Sequence, residues 1–309
     1  MNETPFFTVI IPHYNRPQLL ERCLASIPDI PDIQVIVVDD NSASEIVDFD
    51  HFPGSLRANT TIIYNKENKG AGHARNLALP HALGKWLIFA DADDYFEPNA
   101  FDVFNKHADD TADIIFFGSC CRFSDTNELS NRADYRNILL HKYLENGDEK
   151  IRYHSFSPWA KMTRNSFIIE NNIHFDEVIY GNDVMFSART GLLARSISAD
   201  PSIVYSYSVT RGSLTMQRNA ATLRCRYEGI LALNQFLRQH KLEQYQMPIG
   251  FYIRQACKYG INTLVDFIKL GRKYNANFFL GASKWGKNML YVIYQSIRGS
   301  KEMNKYIVK

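Results

Sequence analysis

Hydrophobic positions in the first 120 residues fall into short, unbroken runs separated by polar clusters. Phe7-Thr8-Val9-Ile10-Ile11, Gln34-Val35-Ile36-Val37-Val38 and Thr60-Thr61-Ile62-Ile63-Tyr64 are three of them. Trp86-Leu87-Ile88-Phe89-Ala90 and Asp113-Ile114-Ile115-Phe116-Phe117 follow. Runs of this length, rich in β-branched and aromatic residues, predict strands buried on both faces. Between the first two, Leu19, Leu20, Cys23, Leu24 and Ile27 recur at helical spacing after Pro17, a residue suited to a helix's first turn. Ala71 to Leu83 predicts a second helix. This alternation points to an α/β fold with a mostly parallel sheet flanked by helices.

Further along, Ser166 to Asn171 predicts a short helix, Asp183 to Ala194 a longer one, and Ser202 to Tyr207 a strand. From about Asn219 the pattern is helical only. Leu223, Tyr227, Ile230, Leu231 and Leu237 form one stripe, and two more helical stretches cover Pro248 to Leu270 and Phe278 to Ile297. A domain boundary is therefore expected near residue 217, with a C-terminal all-helical extension over 218–309.

Charge sharpens that boundary. The net charge of the 309 residues is only +2, but 1–217 holds 19 Lys and Arg against 29 Asp and Glu, whereas 218–309 holds 16 against 4. An acidic body thus precedes a basic appendage suited to an anionic partner. The apolar fraction of 45 % is ordinary for a globular chain and excludes wholly disordered and disulfide-scaffold classes. Five cysteines without CxxC spacing argue for reduced thiols rather than disulfides or a metal cluster. Met1-Asn2-Glu3-Thr4-Pro5 lacks a cationic start and an apolar core, and no apolar stretch reaches about 18 residues, so neither a secretory signal nor a membrane span is expected. The expected location is cytoplasmic, peripheral at the inner face of the membrane.

In open parallel sheets, ligands bind beyond the carboxyl ends of the strands. The first run leads into Pro12-His13-Tyr14-Asn15-Arg16-Pro17, not a glycine-rich turn, which disfavours GxGxxG dinucleotide binding, and no phosphate loop of the GxxxxGK[ST] type occurs. The second run ends in Asp39-Asp40-Asn41-Ser42 and the fourth in Asp91-Ala92-Asp93-Asp94. Five carboxylates at two strand ends repel one another unless a cation or hydrogen-bond donors compensate them. A hard divalent cation shared with substrate phosphates is one solution. An Asx turn or helix cap formed by Asp40, Asn41 and Ser42 is the other.

Five motifs, in order, carry a resemblance to family 2 glycosyltransferases of the bacterial surface-polysaccharide type. Val9-Ile10-Ile11-Pro12-His13-Tyr14-Asn15 resembles the opening strand and turn. Val37-Val38-Asp39-Asp40-Asn41-Ser42 resembles the VVDDxS element, and Asn68-Lys69-Gly70-Ala71-Gly72-His73-Ala74-Arg75-Asn76 the NxGxxxARN segment. Asp91-Ala92-Asp93-Asp94 resembles the DxD motif, and Tyr180-Gly181-Asn182-Asp183 the later GED element, with Asn182 where the family usually has Glu. The resemblance spans about residues 7–215. It implies a GT-A-type, Rossmann-like catalytic domain over 1–217, with a nucleotide-binding half of about 1–120 and an acceptor half of about 121–217.

The resemblance also implies roles. Tyr14 would stack on a nucleobase and Asp40 accept a hydrogen bond from its ring nitrogen, while Pro12 and Asn15 shape the turn beneath it. Arg75 offers a fork of donors suited to a diphosphate. Asp91 and Asp93 would contact the ribose and a divalent cation, Mn2+ or Mg2+, with Asp94 sharing the metal. Asp183 would be the base of an inverting transfer; its alternative is a helix N-cap. Arg211, in Tyr205-Ser206-Tyr207-Ser208-Val209-Thr210-Arg211-Gly212-Ser213-Leu214-Thr215, would reach the diphosphate from a loop hinged at Gly212. Trp159 and Asn182 would face the acceptor, with a place in the core as the alternative for Trp159, and Lys161 lies in the same recurrent segment as Trp159. His13 and His73 receive no role.

The implied reaction moves a sugar from a nucleotide sugar, a UDP-sugar by expectation, to a growing surface glycan or lipid-linked acceptor. A non-catalytic sugar-nucleotide binder or assembly protein is the alternative from another class, and a sugar nucleotidyltransferase the alternative enzyme. The helical region interleaves Lys and Arg with Tyr, Phe and Trp, which fits an anionic membrane surface. A solvated basic face and a protein partner remain open, while no nucleic-acid recognition motif occurs.

Overall fold

Four parallel strands, β1 (Phe7–His13), β2 (Ile33–Asp39), β3 (Thr60–Tyr64) and β4 (Trp86–Phe89), stand side by side in the order β3-β2-β1-β4. They belong to a computed structural model that describes residues 4–124, 126, 128–130, 134–178, 181–209 and 219–280. Helices α1 (Pro17–Ala25) and α2 (Ala71–Ala78) connect them. Side chains alternate across the strands because successive Cβ atoms point to opposite faces. Val9, Ile11, Val35, Val37, Trp86 and Ile88 enter one core, and Ile10, Ile36, Val38, Leu87 and Phe89 the other. Each such side chain contributes about 1.5–3 kcal/mol by leaving water. β3 departs from the expectation of two buried faces: as an edge strand it leaves Thr61 and Tyr64 exposed.

The remainder of the sheet is mixed. After β4 come β5 (Tyr95–Phe96), α3 (Ala100–Lys106), β6 (Ile114–Phe123), β7 (Leu129–Ser130), α4 (Asp134–Asn146) and α5 (Lys150–His154). Then follow β8 (Lys161–Arg164), α6 (Asn165–Glu170), α7 (Asn182–Leu193) and β9 (Ile197–Val209). The sheet order is β3-β2-β1-β4-β8-β6-β9-β5, with β7 beside β6. β8 runs antiparallel to both neighbours, whereas β6 and β9 are parallel over nearly their whole length. The second helix is shorter than expected: α2 stops at Ala78 and a 3-10 turn, Leu79–His81, carries Pro80.

The chain divides into two compact units, Met1–Arg218 and Asn219–Lys309. In the second, α8 (Ala220–Gln239) opens on Asn219, whose side-chain oxygen accepts a hydrogen bond from the Thr222 amide at 2.8 Å. The stretch expected as one helix over 248–270 is two, α9 (Gly250–Cys257) and α10 (Ile261–Lys273). Gly260, at φ +99°, turns the chain between them in a conformation that side chains disfavour. Tyr227 of α8 stacks on Phe267 of α10 with centroids 4.9 Å apart. The helix expected over 278–297 falls almost wholly outside the described residues, and 278–280 form a turn. Among the described residues no helix is long and apolar enough to cross a membrane.

Candidate active site

The carboxyl ends of β1, β2 and β4 and the first turns of α2 and α7 meet above the sheet. His13 and Asp39 close adjacent parallel strands at the same register position. Their side chains meet at 2.7 Å between Nδ1 and Oδ1. The Arg16 amide donates to His13 Nε2 at 3.1 Å, so the proton sits on Nδ1 and points at Asp39. Ser42 adds its hydroxyl to Asp39 Oδ1 at 2.6 Å and its amide to Oδ2 at 2.9 Å. Burial raises the Asp39 carboxyl, but the donors from His13 and Ser42 outweigh it and leave the group below the usual carboxylate range. The cap at this strand end is thus made by Asp39, not by Asp40.

Asp40 is also saturated with donors. Its Oδ1 accepts from Asn65 Nδ2 at 2.9 Å and the Lys69 amide at 3.1 Å, and its Oδ2 from the Gly70 amide at 2.6 Å. It thereby ties the loop before α2 to the end of β2. Asn15 and Asn41 adopt left-handed conformations, φ 52° and 62°. Asn15 is bound to the β2 turn through its amide on Ser42 Oγ and its side-chain oxygen under the Ala43 amide, both at 2.8 Å. Pro12 is partly buried in β1, and Tyr14 projects from the turn with 49 % of its surface exposed.

Arg75 of α2 joins the two later motifs. One guanidinium nitrogen bonds Asp91 Oδ1 at 2.5 Å and the other Asn182 Oδ1 at 2.9 Å, while the ring of Phe175 lies 5.2 Å away. Arg75 is 4 % exposed, and its Nε has no partner. The close approach of α2 to α7 depends on Gly72, where a Cβ would stand 2.3 Å from the Asp176 carbonyl oxygen and 2.9 Å from Asn182 Cβ. Asn76 holds the strand of chain before α7 by exchanging hydrogen bonds of 2.8 and 2.9 Å with the Phe175 backbone.

The turn after β4 has the opposite character to that after β2. Asp94 is buried; Tyr205 donates to its Oδ2 at 2.9 Å and the Ser208 amide to its Oδ1 at 2.7 Å. Burial, then the charges of Asp93 and Asp91, push its carboxyl well above the usual range. The Tyr205 hydroxyl also accepts from the Asp91 amide at 2.9 Å, so one phenol braces the whole turn. Asp93 is exposed as a residue, yet desolvation of its carboxyl and the neighbouring Asp91 push that group up to about 6, against Arg16 and Arg22. Arg22 fixes the turn by donating to the Asp93 carbonyl at 2.5 Å and to Ser208 Oγ at 2.9 Å.

Asp183 lies in the first turn of α7, but the N-cap is Gly181 at φ 74°, so the cap alternative for Asp183 does not hold. Burial pushes its carboxyl above the usual range and Asp91 adds to the rise, while Arg75 and Lys161 pull it down. Asn182 meets Arg75. Trp159 is 7 % exposed and stacks on Tyr205 and Tyr207 at 5.0 Å each, with the Arg136 guanidinium 4.3 Å from its ring, leaving little of it to meet an acceptor. Arg211 and Tyr180 lie outside the described residues.

The sequence model of glycosyl transferase family 2 matches residues 8–170, a span that holds the turns after β1, β2 and β4 together with Arg75. The chain belongs to this family. EpsH of Bacillus subtilis (strain 168), named as a glycosyltransferase, is 28 % identical over 265 residues, 81 % of this chain and 75 % of EpsH. The poly(ribitol-phosphate) beta-N-acetylglucosaminyltransferase TarS of Staphylococcus aureus (strain Mu50) is 26 % identical over 215 residues, 66 % of this chain but only 36 % of TarS. Among solved structures, residues 1–349 of S. aureus TarS in complex with UDP-GlcNAc align with a TM-score of 0.58 at 20 % identity, covering 85 % of this chain and 81 % of that one. The mannosyltransferase PcManGT from Pyrobaculum calidifontis, in complex with GDP-Man and Mn2+, aligns with a TM-score of 0.58 at 17 % identity, covering 95 % and 82 %. The fold of this family 2 glycosyltransferase is GT-A.

His13, Arg16, Arg22 and Arg136 entered the site without any expectation from sequence. For His13 a signal existed: it and Asp39 are the last polar residues of neighbouring parallel strands, and equal register brings such pairs together.

Proposed function

We propose that this glycosyltransferase moves one sugar from a UDP-sugar to a hydroxyl of a glycan or lipid-linked acceptor with inversion at the anomeric carbon. The observation that carries the reading is the juxtaposition of a half-buried Asp183, its proton affinity raised by desolvation, with Arg75 and the Asp91–Asp94 turn at the carboxyl ends of the strands. In the transfer, the acceptor oxygen forms a bond to the anomeric carbon and the bond to the diphosphate oxygen breaks. The hydroxyl proton passes to the Asp183 carboxylate, whose raised proton affinity suits a general base. Arg75, whose Nε is unpartnered, orients the diphosphate by charge and by donors. Tyr14, exposed beside Pro12 and Asn15, supplies a stacking face for the base, and Asp40 holds the loop that frames it.

A hard divalent cation fits the donor set. Among the described residues no group of three or more His, Cys, Asp or Glu gathers as a complete cage. Asp93 offers an exposed carboxylate beside Asp91, and magnesium-type ions bind through one or two carboxylates completed by substrate phosphates. Asp93 would hold the ion, with Asp94 bracing the turn behind it. When bound, the ion supplies charge to offset the departing nucleoside diphosphate. The UDP-GlcNAc complex of TarS and the GDP-Man and Mn2+ complex of PcManGT support a nucleotide-sugar donor and a cation. The polymer substrate in the name of TarS supports a glycan acceptor. The basic residues of the second unit, such as Arg254, Lys258, Lys269 and Arg272, support docking on an anionic membrane surface that carries the acceptor.

The test is a panel of UDP- and GDP-sugars incubated with the protein, with and without manganese. One UDP-sugar is expected to release UDP slowly, with water as acceptor, and only with the cation. Equal release without the cation would remove the metal from the reading, and no release from any donor would favour the non-catalytic alternative.

A further inference from the structure

We propose that Lys161 is a positioning residue that, together with Arg75, favours the ionised form of Asp183 as its buried counter-charge, an inference that rests on Asp183 being the base. Lys161 opens β8 and is 7 % exposed. Its Nζ donates to the Ser155 carbonyl at 2.6 Å and lies 5.1 Å from the centroid of the Phe116 ring. A carbonyl and an aromatic face hold an ammonium in place, but neither neutralises it. No ion pair of Lys161 occurs among the described residues.

Packing sets the face of α7 that carries the base against the segment that holds this charge. Ser187 stands four residues after Asp183, so the two share one face of α7. Ser187 Oγ donates to the Phe156 carbonyl at 2.6 Å, which sets that face against the segment from Ser155 to Lys161. Asp183 is then acted on from α2 by Arg75, from β8 by Lys161 and, in opposition, by Asp91 after β4. The charges that act on Lys161 in turn are that of Asp183, which favours its ammonium, and that of Arg136 of α4, which opposes it. Arg75 is engaged with Asp91 and Asn182, which leaves Lys161 as the cation with no other carboxylate to serve. Burial pulls the Lys161 ammonium down to about 7, so the counter-charge is itself adjustable near neutral pH.

The experiment is the pH dependence of kcat/KM for hydrolysis of the UDP-sugar selected by the donor panel, using the full chain. Activity rises as Asp183 loses its proton, and this acid limb is the readout. Lys161→Met and Lys161→Gln each remove the charge, and the glutamine keeps a donor for the Ser155 carbonyl should the methionine fail to fold. Both are expected to move the limb upward by about one pH unit, so that activity below it falls roughly tenfold, while nucleotide affinity holds. Lys161→Arg, which keeps a charge, is expected to leave the limb near its wild-type position. An unmoved limb in a folded, active Lys161→Gln protein overturns the proposal, as does an equal loss at every pH. Failure of the base assignment is read separately, from activity retained by Asp183→Asn.

Discussion

The turns after β2 and β4 each place aspartates at the end of a parallel strand, and their surroundings drive them to opposite states. After β2, Asp39 and Asp40 together accept six hydrogen bonds, from His13, Ser42, Asn65, Lys69 and Gly70. After β4, Asp93 faces Asp91 with few donors of its own, and Asp94 is buried beside both. Donors favour the ionised form and desolvation disfavours it. The first turn is therefore architecture, and the second keeps electrostatic strain that a ligand of positive charge can relieve. The same chemistry of aspartate thus gives a brace of the fold in one place and an under-compensated cluster of charge in the other.

The largest test of this contrast lies at Asp183, which belongs with the strained side. Asp183→Asn is expected to reduce transfer by about 10²–10⁴-fold while nucleotide binding, measured by calorimetry, changes little. Activity close to wild type would place the base elsewhere. Next in size is the saturated side. Asp39→Ala leaves the His13 Nδ1–H and both Ser42 donors without their partner, and is expected to cost about 3 kcal/mol in urea unfolding. The folded-state pKa of Asp39 lies below the unfolded value of 3.8. Its contribution is therefore present above that value and fades as pH falls through the lower one. A variant as stable as wild type at pH 7 would show the network to be ornamental.

The smallest effect has the opposite sign. The Asp93 pKa is raised from 3.8 to about 6, so its carboxylate weakens the ligand-free fold as pH rises across that interval. Asp93→Asn is expected to stabilise the protein at pH 7, by under about 1 kcal/mol because the side chain is exposed. The same change should abolish the manganese dependence of UDP binding. Destabilisation at pH 7 would erase the contrast between the two turns.

Much of this site was legible along the chain. The strands that present it announced themselves as apolar runs, because strands buried on both faces tolerate no polar interruption. The motif residues Asp91, Arg75 and Asn182, separated by up to 107 positions, do converge around one guanidinium. Other parts were hidden. β5 and β7 are two residues long, and α3 and α5 only seven and five, too short for periodicity to register. The antiparallel β8 interrupts a sheet whose other central pairs are parallel, and no local pattern marks strand direction. For Trp159 the sequence left a choice between the acceptor and the core, and the structure stacks it on Tyr205 and Tyr207.

Residue type and spacing were enough to determine the strands β1 to β4, β6 and β9, which family the chain joins and which carboxylates stand at strand ends. They could not determine the state of those carboxylates. Whether an aspartate is held ionised or driven toward its proton depends on donors and burial supplied by residues distant in sequence: His13 for Asp39, Tyr205 for Asp94, Arg75 and Lys161 for Asp183. Hydrophobic patterning is a local signal because it follows the period of the backbone. Electrostatic environment is a sum over neighbours in space, and only the tertiary structure assembles that sum.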